Sequence, residues 1–86
     1  MNKDIKISFT RVNNRLSFEN YTYLICTRVK STKRKSKTFL VKITGKEREY
    51  LSSLYPTPTQ NTFNLDYQGI KYTLELNQET AILRTR

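Results

Sequence analysis

The stretch from Tyr21 to Thr44 constrains this chain most. Two runs of β-branched and aromatic residues, Tyr21–Val29 and Thr38–Ile43, flank a loop that has no apolar residue. Such a pair reads as a β-hairpin. The loop carries Lys30, Lys33, Arg34, Lys35 and Lys37. These cations repel one another and cannot pack, so the tip stands in solvent or against an anion. The runs do not reveal which face turns inward. Tyr21, Tyr23, Ile25 and Val29 alternate with Thr22, Leu24, Cys26 and Arg28, and both sets are partly apolar. In the second run Phe39, Val41 and Ile43 oppose Leu40 and Lys42. A slip of one residue would exchange the faces.

The rest of the chain has the same grain. Asp4–Val12 alternates, with Ile5, Ile7 and Phe9 on one side, as a half-buried strand does. Asn13-Asn14 suits a tight turn, because Asn tolerates the left-handed conformation. A two-residue turn there sets Phe9 opposite Phe18 on the next strand, Arg15–Phe18. The pattern then continues into Tyr21–Val29 through a bend near Glu19-Asn20. Thr44-Gly45-Lys46-Glu47 fits a helix capping box, and Tyr50, Leu51 and Leu54 follow at helical spacing before Pro56. One short helix is expected over Gly45–Leu54, with those three residues packed on the sheet. Tyr55–Gln60 is an extended connection. Strands are expected at Thr62–Tyr67, at Ile70–Leu76 with a bulge near Thr73, and at Thr80–Arg84. The expected fold is mainly β with one short helix. It is a small antiparallel barrel of the OB type, in which a helix lies between the third and fourth strands; an α+β sandwich is the alternative.

With 86 residues, the chain is read as one domain, 1–86. An apolar fraction of 36% is low for a globular domain, yet six Tyr and four Phe are too many for a disordered tail. The net charge of +9 is unevenly spread. Residues 1–44 hold eleven Lys or Arg against Asp4 and Glu19, whereas residues 45–86 hold five cations against five acids. All the net charge thus lies in the first half, which points to a cationic face. Cys26 is the single cysteine, so no internal disulfide forms, and its apolar neighbour Ile25 marks it as a small core residue. No signal core and no membrane-length apolar run is visible, so the expected location is intracellular, without membrane association.

Nucleic acid is the commonest partner of a cationic face; an acidic protein is the alternative. Lys and Arg release condensed counterions from phosphates, which drives sequence-independent affinity. The expected contact residues are Arg28, Lys30, Lys33, Arg34, Lys35, Lys37 and Lys42, extended by Arg11 and Arg15 if the sheet sets them on one face. Tyr21 and Tyr23 beside this arm are candidate base-stacking platforms, a device of single-strand binders. Alternatively, they pack as ordinary strand residues. A protein-binding inhibitor or adaptor whose arm fills an acidic groove has the same composition. Enzymatic chemistry is poorly supported. There is no His, and neither a glycine-rich phosphate loop nor a metal-ligand cluster is present, so no cofactor, metal or catalytic residue is expected. A His-free ribonuclease would draw on Glu47, Arg48 and Glu49, which a solvated helix start explains as well.

YTYLIC (Tyr21–Cys26) and FLVKIT (Phe39–Thr44), with the late arginine in AILR, resemble the single-stranded DNA-binding proteins of filamentous phages. The resemblance covers about a quarter of the chain. It implies a small, tyrosine-rich, OB-like barrel that dimerises, from a virus or mobile element, with Tyr21, Lys42 and Arg84 at or near DNA contacts. The chain departs from that family in three ways. The segment between its first strand and YTYLIC is shorter, the loop after Cys26 is longer and more basic, and the expected helix is more pronounced.

Overall fold

Tight turns set the order of the fold. In the computed structural model, which describes residues 4–30 and 35–86, every alternating run becomes a strand. β1 (Lys6–Val12) turns at Asn13-Asn14 into β2 (Arg15–Phe18), and β2 turns at Glu19-Asn20 into β3 (Tyr21–Lys30). β4 (Lys35–Thr44) turns at Gly45-Lys46 into β5 (Glu47–Pro56). β6 (Thr62–Tyr67), β7 (Ile70–Leu76) and β8 (Thr80–Thr85) complete the chain. The first residue of each two-residue turn is left-handed, with φ of 56° at Asn13, 55° at Glu19, 59° at Gly45 and 51° at Gln68. Glu19 explains why the sequence reads as a bend at that point. Glu carries no turn signature, yet Phe18 pairs with Tyr21 and the chain reverses.

The eight strands form a closed antiparallel barrel in which each strand pairs with its neighbours in sequence and β1 pairs with β8. This up-and-down order differs from the five-stranded Greek key of an OB barrel, so the OB-type topology is corrected. Antiparallel strands joined by two-residue turns can only lie side by side. The helix expected over Gly45–Leu54 is corrected too. Those residues are a hairpin turn and most of β5, paired with β4 from Thr44↔Glu47 to Thr38↔Leu54. A register shift in this ladder, between Leu40 and Val41, leaves Leu51 as an extra residue between Tyr50 and Ser52. A bulge changes the inward spacing from two residues to three, and this mimics a helical repeat. No bulge occurs at Thr73, where the β6–β7 register runs unbroken from Thr62↔Glu75 to Tyr67↔Ile70.

The core is the barrel interior. Leu16, Leu74 and Ala81 are its most deeply buried residues. Ala81 lies opposite Phe9, and its small side chain leaves room for the Phe9 ring. That ring meets Phe18 edge-on at 5.9 Å and Tyr23 at 5.5 Å. The Phe9–Phe18 pairing expected from the Asn13-Asn14 turn is present. The outward positions of β1 within its ladders, Lys6, Ser8 and Thr10, are polar and exposed.

One seam is narrow. β5 and β6 share only Tyr55↔Asn64 and Pro56↔Phe63, whereas the β3–β4 ladder runs from Thr22↔Ile43 to Lys30↔Lys35. Just beyond the short ladder, the buried Ser52 hydroxyl donates to the Asp66 carbonyl at 2.9 Å, with the Ser53 carbonyl as its other acceptor at 3.0 Å. This bond carries the seam past the point where backbone pairing ends. Ser52→Ala should therefore destabilise the fold by about 1–3 kcal/mol, because it leaves a carbonyl without its partner. Urea denaturation would show this as a lower midpoint, and an unchanged midpoint would mean that the seam does not depend on the bond.

Candidate functional site

The β3–β4 hairpin is longer than the barrel around it. Pairing with β2 ends at Leu24, with one further backbone bond from Ile25 to the Asn14 carbonyl. Pairing with β5 ends at Thr38. Beyond these points Arg28↔Lys37, Val29↔Ser36 and Lys30↔Lys35 pair only with each other, as a two-stranded ribbon leaving the barrel. Lys33 and Arg34 lie outside the described residues.

The register decides the faces. Tyr21, Tyr23 and Ile25 face the interior with Leu40 and Lys42, while Leu24, Cys26 and Arg28 face outward with Phe39, Val41, Ile43 and Lys37. Cys26 is accordingly half-buried on the outer face rather than in the core. β5 adds Arg48, Tyr50, Ser53 and Tyr55 to this outer face, and β2 adds Arg15. Among the described residues, the outer face of β2–β5 thus carries Arg15, Arg28, Lys37 and Arg48 and no acid. On the opposite wall the cations are partly neutralised. Arg84 pairs with Glu75 at 2.9 Å and Arg86 with Asp66 at 3.5 Å.

Aromatic rings lie on the same cationic wall. Phe39 and Tyr50 approach to 5.8 Å between centroids, Lys37 stands 6.0 Å over the Tyr50 ring, and the Tyr50 hydroxyl bonds to Ser53 Oγ at 2.6 Å. Tyr50 is 54% exposed. Beneath them Val41 is only 5% exposed although it lies on the outer face, flanked by Leu24 and Tyr50 across the strands. The helical reading hid Tyr50. Once Glu47–Pro56 is a strand, period-two alternation from Arg48 would have shown it.

The residues expected to share one face are divided. Arg28 and Lys37 flank the base of the ribbon on the outer wall, and Arg15 lies beside it. Tyr21, Tyr23 and Lys42 sit at the inner side of the far mouth, with the Lys42 ammonium 4.7 Å over the Tyr21 ring. Arg11 is inward-facing at the ribbon end. Its guanidinium donates to the Asn13 carbonyl at 2.9 Å and to the Asn77 carbonyl at 2.6 Å, so it ties two turns together. Glu47 and Glu49 alternate with Arg48 along a strand and therefore point to opposite sides of the sheet.

Inside the barrel, between the core and the mouth at Phe18 and Tyr21, lies a cavity of about 290 Å³. Its walls are aliphatic side chains and rings, including Ile7, Leu51, Leu65, Tyr67 and Leu83. At about 24 cal/mol per Å³, a sealed void of this size would cost about 7 kcal/mol, a large share of a small domain's stability. Burial pushes the Tyr23 phenol above its ordinary value of 10.0, and the neighbouring Tyr21 and Tyr67 push it the same way.

Compared with known proteins, the chain matches no family model, no curated protein and no solved structure.

Two outcomes follow from this geometry. Arg11→Met should lower stability by about 1 kcal/mol through the lost carbonyl bonds, with little effect on any polyanion bound at the outer wall. A loss of polyanion affinity without a change in urea midpoint would place Arg11 among the contacts instead. For Tyr23 the folded-state pKa is raised, so its contribution to stability is fully present below pH 10 and is lost as pH rises through the folded value. Tyr23→Phe should flatten the alkaline decline in urea midpoint; an identical decline in the variant would exclude Tyr23 as its source.

Proposed function

We propose that the protein is a non-catalytic nucleic-acid-binding protein that prefers single strands, bound along the outer wall of β2–β5 and the ribbon. The carrying observation is that wall's composition: Arg15, Arg28, Lys37 and Arg48 without an acid, around the exposed Tyr50 ring and the half-buried Phe39 ring beside it. Cations that neutralise phosphates and rings that stack bases are the two components of a single-strand groove. In the sequence, Lys30, Lys33, Arg34 and Lys35 continue the same run of cations between Arg28 and Lys37. Tyr50 and Phe39 take the stacking role in this reading, since Tyr21 and Tyr23 face the barrel interior. The reading rests on the wall and its charge rather than on OB topology, and a dimer or a viral source is not needed for it.

A second reading draws on the half-buried Leu24 and Ile43 of the same wall. An apolar patch ringed by cations also suits an acidic protein surface, as in an inhibitor or adaptor.

Binding of labelled single- and double-stranded oligonucleotides across salt concentrations tests both. For single strands, log affinity should fall against log salt with a slope of about −0.7 per phosphate neutralised. Arg28→Glu with Lys37→Glu should flatten that slope, and Tyr50→Ala should weaken binding by about 1–3 kcal/mol at any salt. Absence of binding at low salt would remove the nucleic-acid reading. Capture of an acidic protein that survives nuclease treatment would favour the second.

A further inference from the structure

The cavity at the other end of the barrel has no part in the function just proposed. Its lining residues Ile5, Phe18, Tyr21 and Tyr67 stand at the strand ends beside the Glu19-Asn20 and Gln68-Gly69 turns, away from the ribbon. Eight-stranded barrels lie at the size where the interior is either filled by side chains or holds one small ligand. This one is filled around Leu16, Leu74 and Ala81 and open nearer the mouth. Apolar walls give water few partners, so the space does not suit a water cluster.

The mouth has a polar rim in which Lys42 is the cation nearest the rings. Lys42 lies opposite Tyr23 in the β3–β4 ladder, and its ammonium caps the Tyr21 ring at 4.7 Å. Among the described residues Lys42 forms no ion pair, although Glu49 is its cross-strand neighbour on β5. The phenol of Tyr23 stays protonated at neutral pH and can donate a hydrogen bond. An inward-facing lysine on a strand is costly unless an anion or water meets it.

We propose that the barrel cavity is a binding site for a small amphiphilic carboxylate, an aliphatic chain of about eight carbons, with its tail among Leu51, Leu65 and Leu83 and its carboxylate at Lys42. The volume sets the length. At about 30 Å³ per non-hydrogen atom, the share of a water molecule in the liquid, 290 Å³ holds about ten such atoms. Octanoate has that number. The charge comes from Lys42, because an ammonium at the mouth of an apolar pocket favours a carboxylate over a neutral head group.

The test is titration of the full chain with octanoate, octanol and hexadecanoate, followed by two-dimensional NMR and by thermal unfolding. Octanoate should shift the resonances of Tyr23, Leu65 and Leu83 and raise the melting temperature. It should bind about tenfold tighter than octanol, and hexadecanoate should bind more weakly because its tail exceeds the cavity. Lys42→Met should abolish the preference for octanoate while leaving octanol binding in place. Leu83→Phe, which fills the cavity, should weaken both ligands; circular dichroism confirms that the variant is folded, and the wild-type ligand ranking gives the same test without it. Shifts confined to surface residues, equal affinity for octanol and octanoate, or an unchanged preference in Lys42→Met would each overturn the proposal. None of these outcomes depends on oligonucleotide binding, so the two sites stand or fall separately.

Discussion

Closure of the sheet is the constraint on which everything else depends. Strands of four to ten residues joined by short connections, each pairing with its neighbour in sequence, make a meander, and a meander of this length buries its apolar face only by curling onto itself. The ladder from Lys6↔Arg84 to Thr10↔Thr80 joins the two ends of the chain. The Ile5 amide adds a bond to Thr85 Oγ1, and the Thr85 amide one to the Ile5 carbonyl. The weak point is the two-pair seam between β5 and β6, which Ser52 extends with a side-chain bond. Leu51, displaced at the bulge, both fills the interior beside this seam and lines the cavity.

Closure also sorts charge and aromatic surface. Because β2–β5 form one wall, Arg15, Arg28 and Lys37 gather on its outer face, joined by Arg48, whereas Arg11 and Lys42 turn inward. The strands of the second half place Asp66 and Glu75 within reach of Arg86 and Arg84. Surface pairs of this kind add little stability, but they partly neutralise that wall. The two ends of the barrel differ in a similar way. One end carries the ribbon and is tied by Arg11, while the other opens through tyrosine rings under Lys42. The cationic wall and the apolar cavity therefore share no side chain among the residues that define them.

Much of this was legible in the residues. Alternation located β1, β2, β6 and β7 to within a residue or two, and Asn13-Asn14 announced a turn that sets Phe9 beside Phe18. The loop from Lys30 to Lys37 marked the tip of the longest hairpin. The helix failed for a local reason. A bulge at Leu51 changed the strand's spacing just where Thr44 and Glu47 imitated a capping box, and a short helix has too little intrinsic stability to compete with a strand that completes a barrel. The Glu19 turn was hidden because a non-glycine residue without turn chemistry adopts φ of 55° there, held by the hairpin on either side.

The sequence by itself determined that the chain is β-rich, that its charge lies in the first half, and that a cationic hairpin projects from it. Those properties depend on period, composition and neighbours in the chain. Only the tertiary structure decided which stripe of β3 and β4 faces inward, because both stripes are apolar enough to be buried. Pairing with β2 on one side and β5 on the other settled it, turning Tyr21, Tyr23 and Lys42 toward the cavity and Phe39, Val41 and Tyr50 toward the outer wall. Register is a non-local property, so no window along the chain contains it.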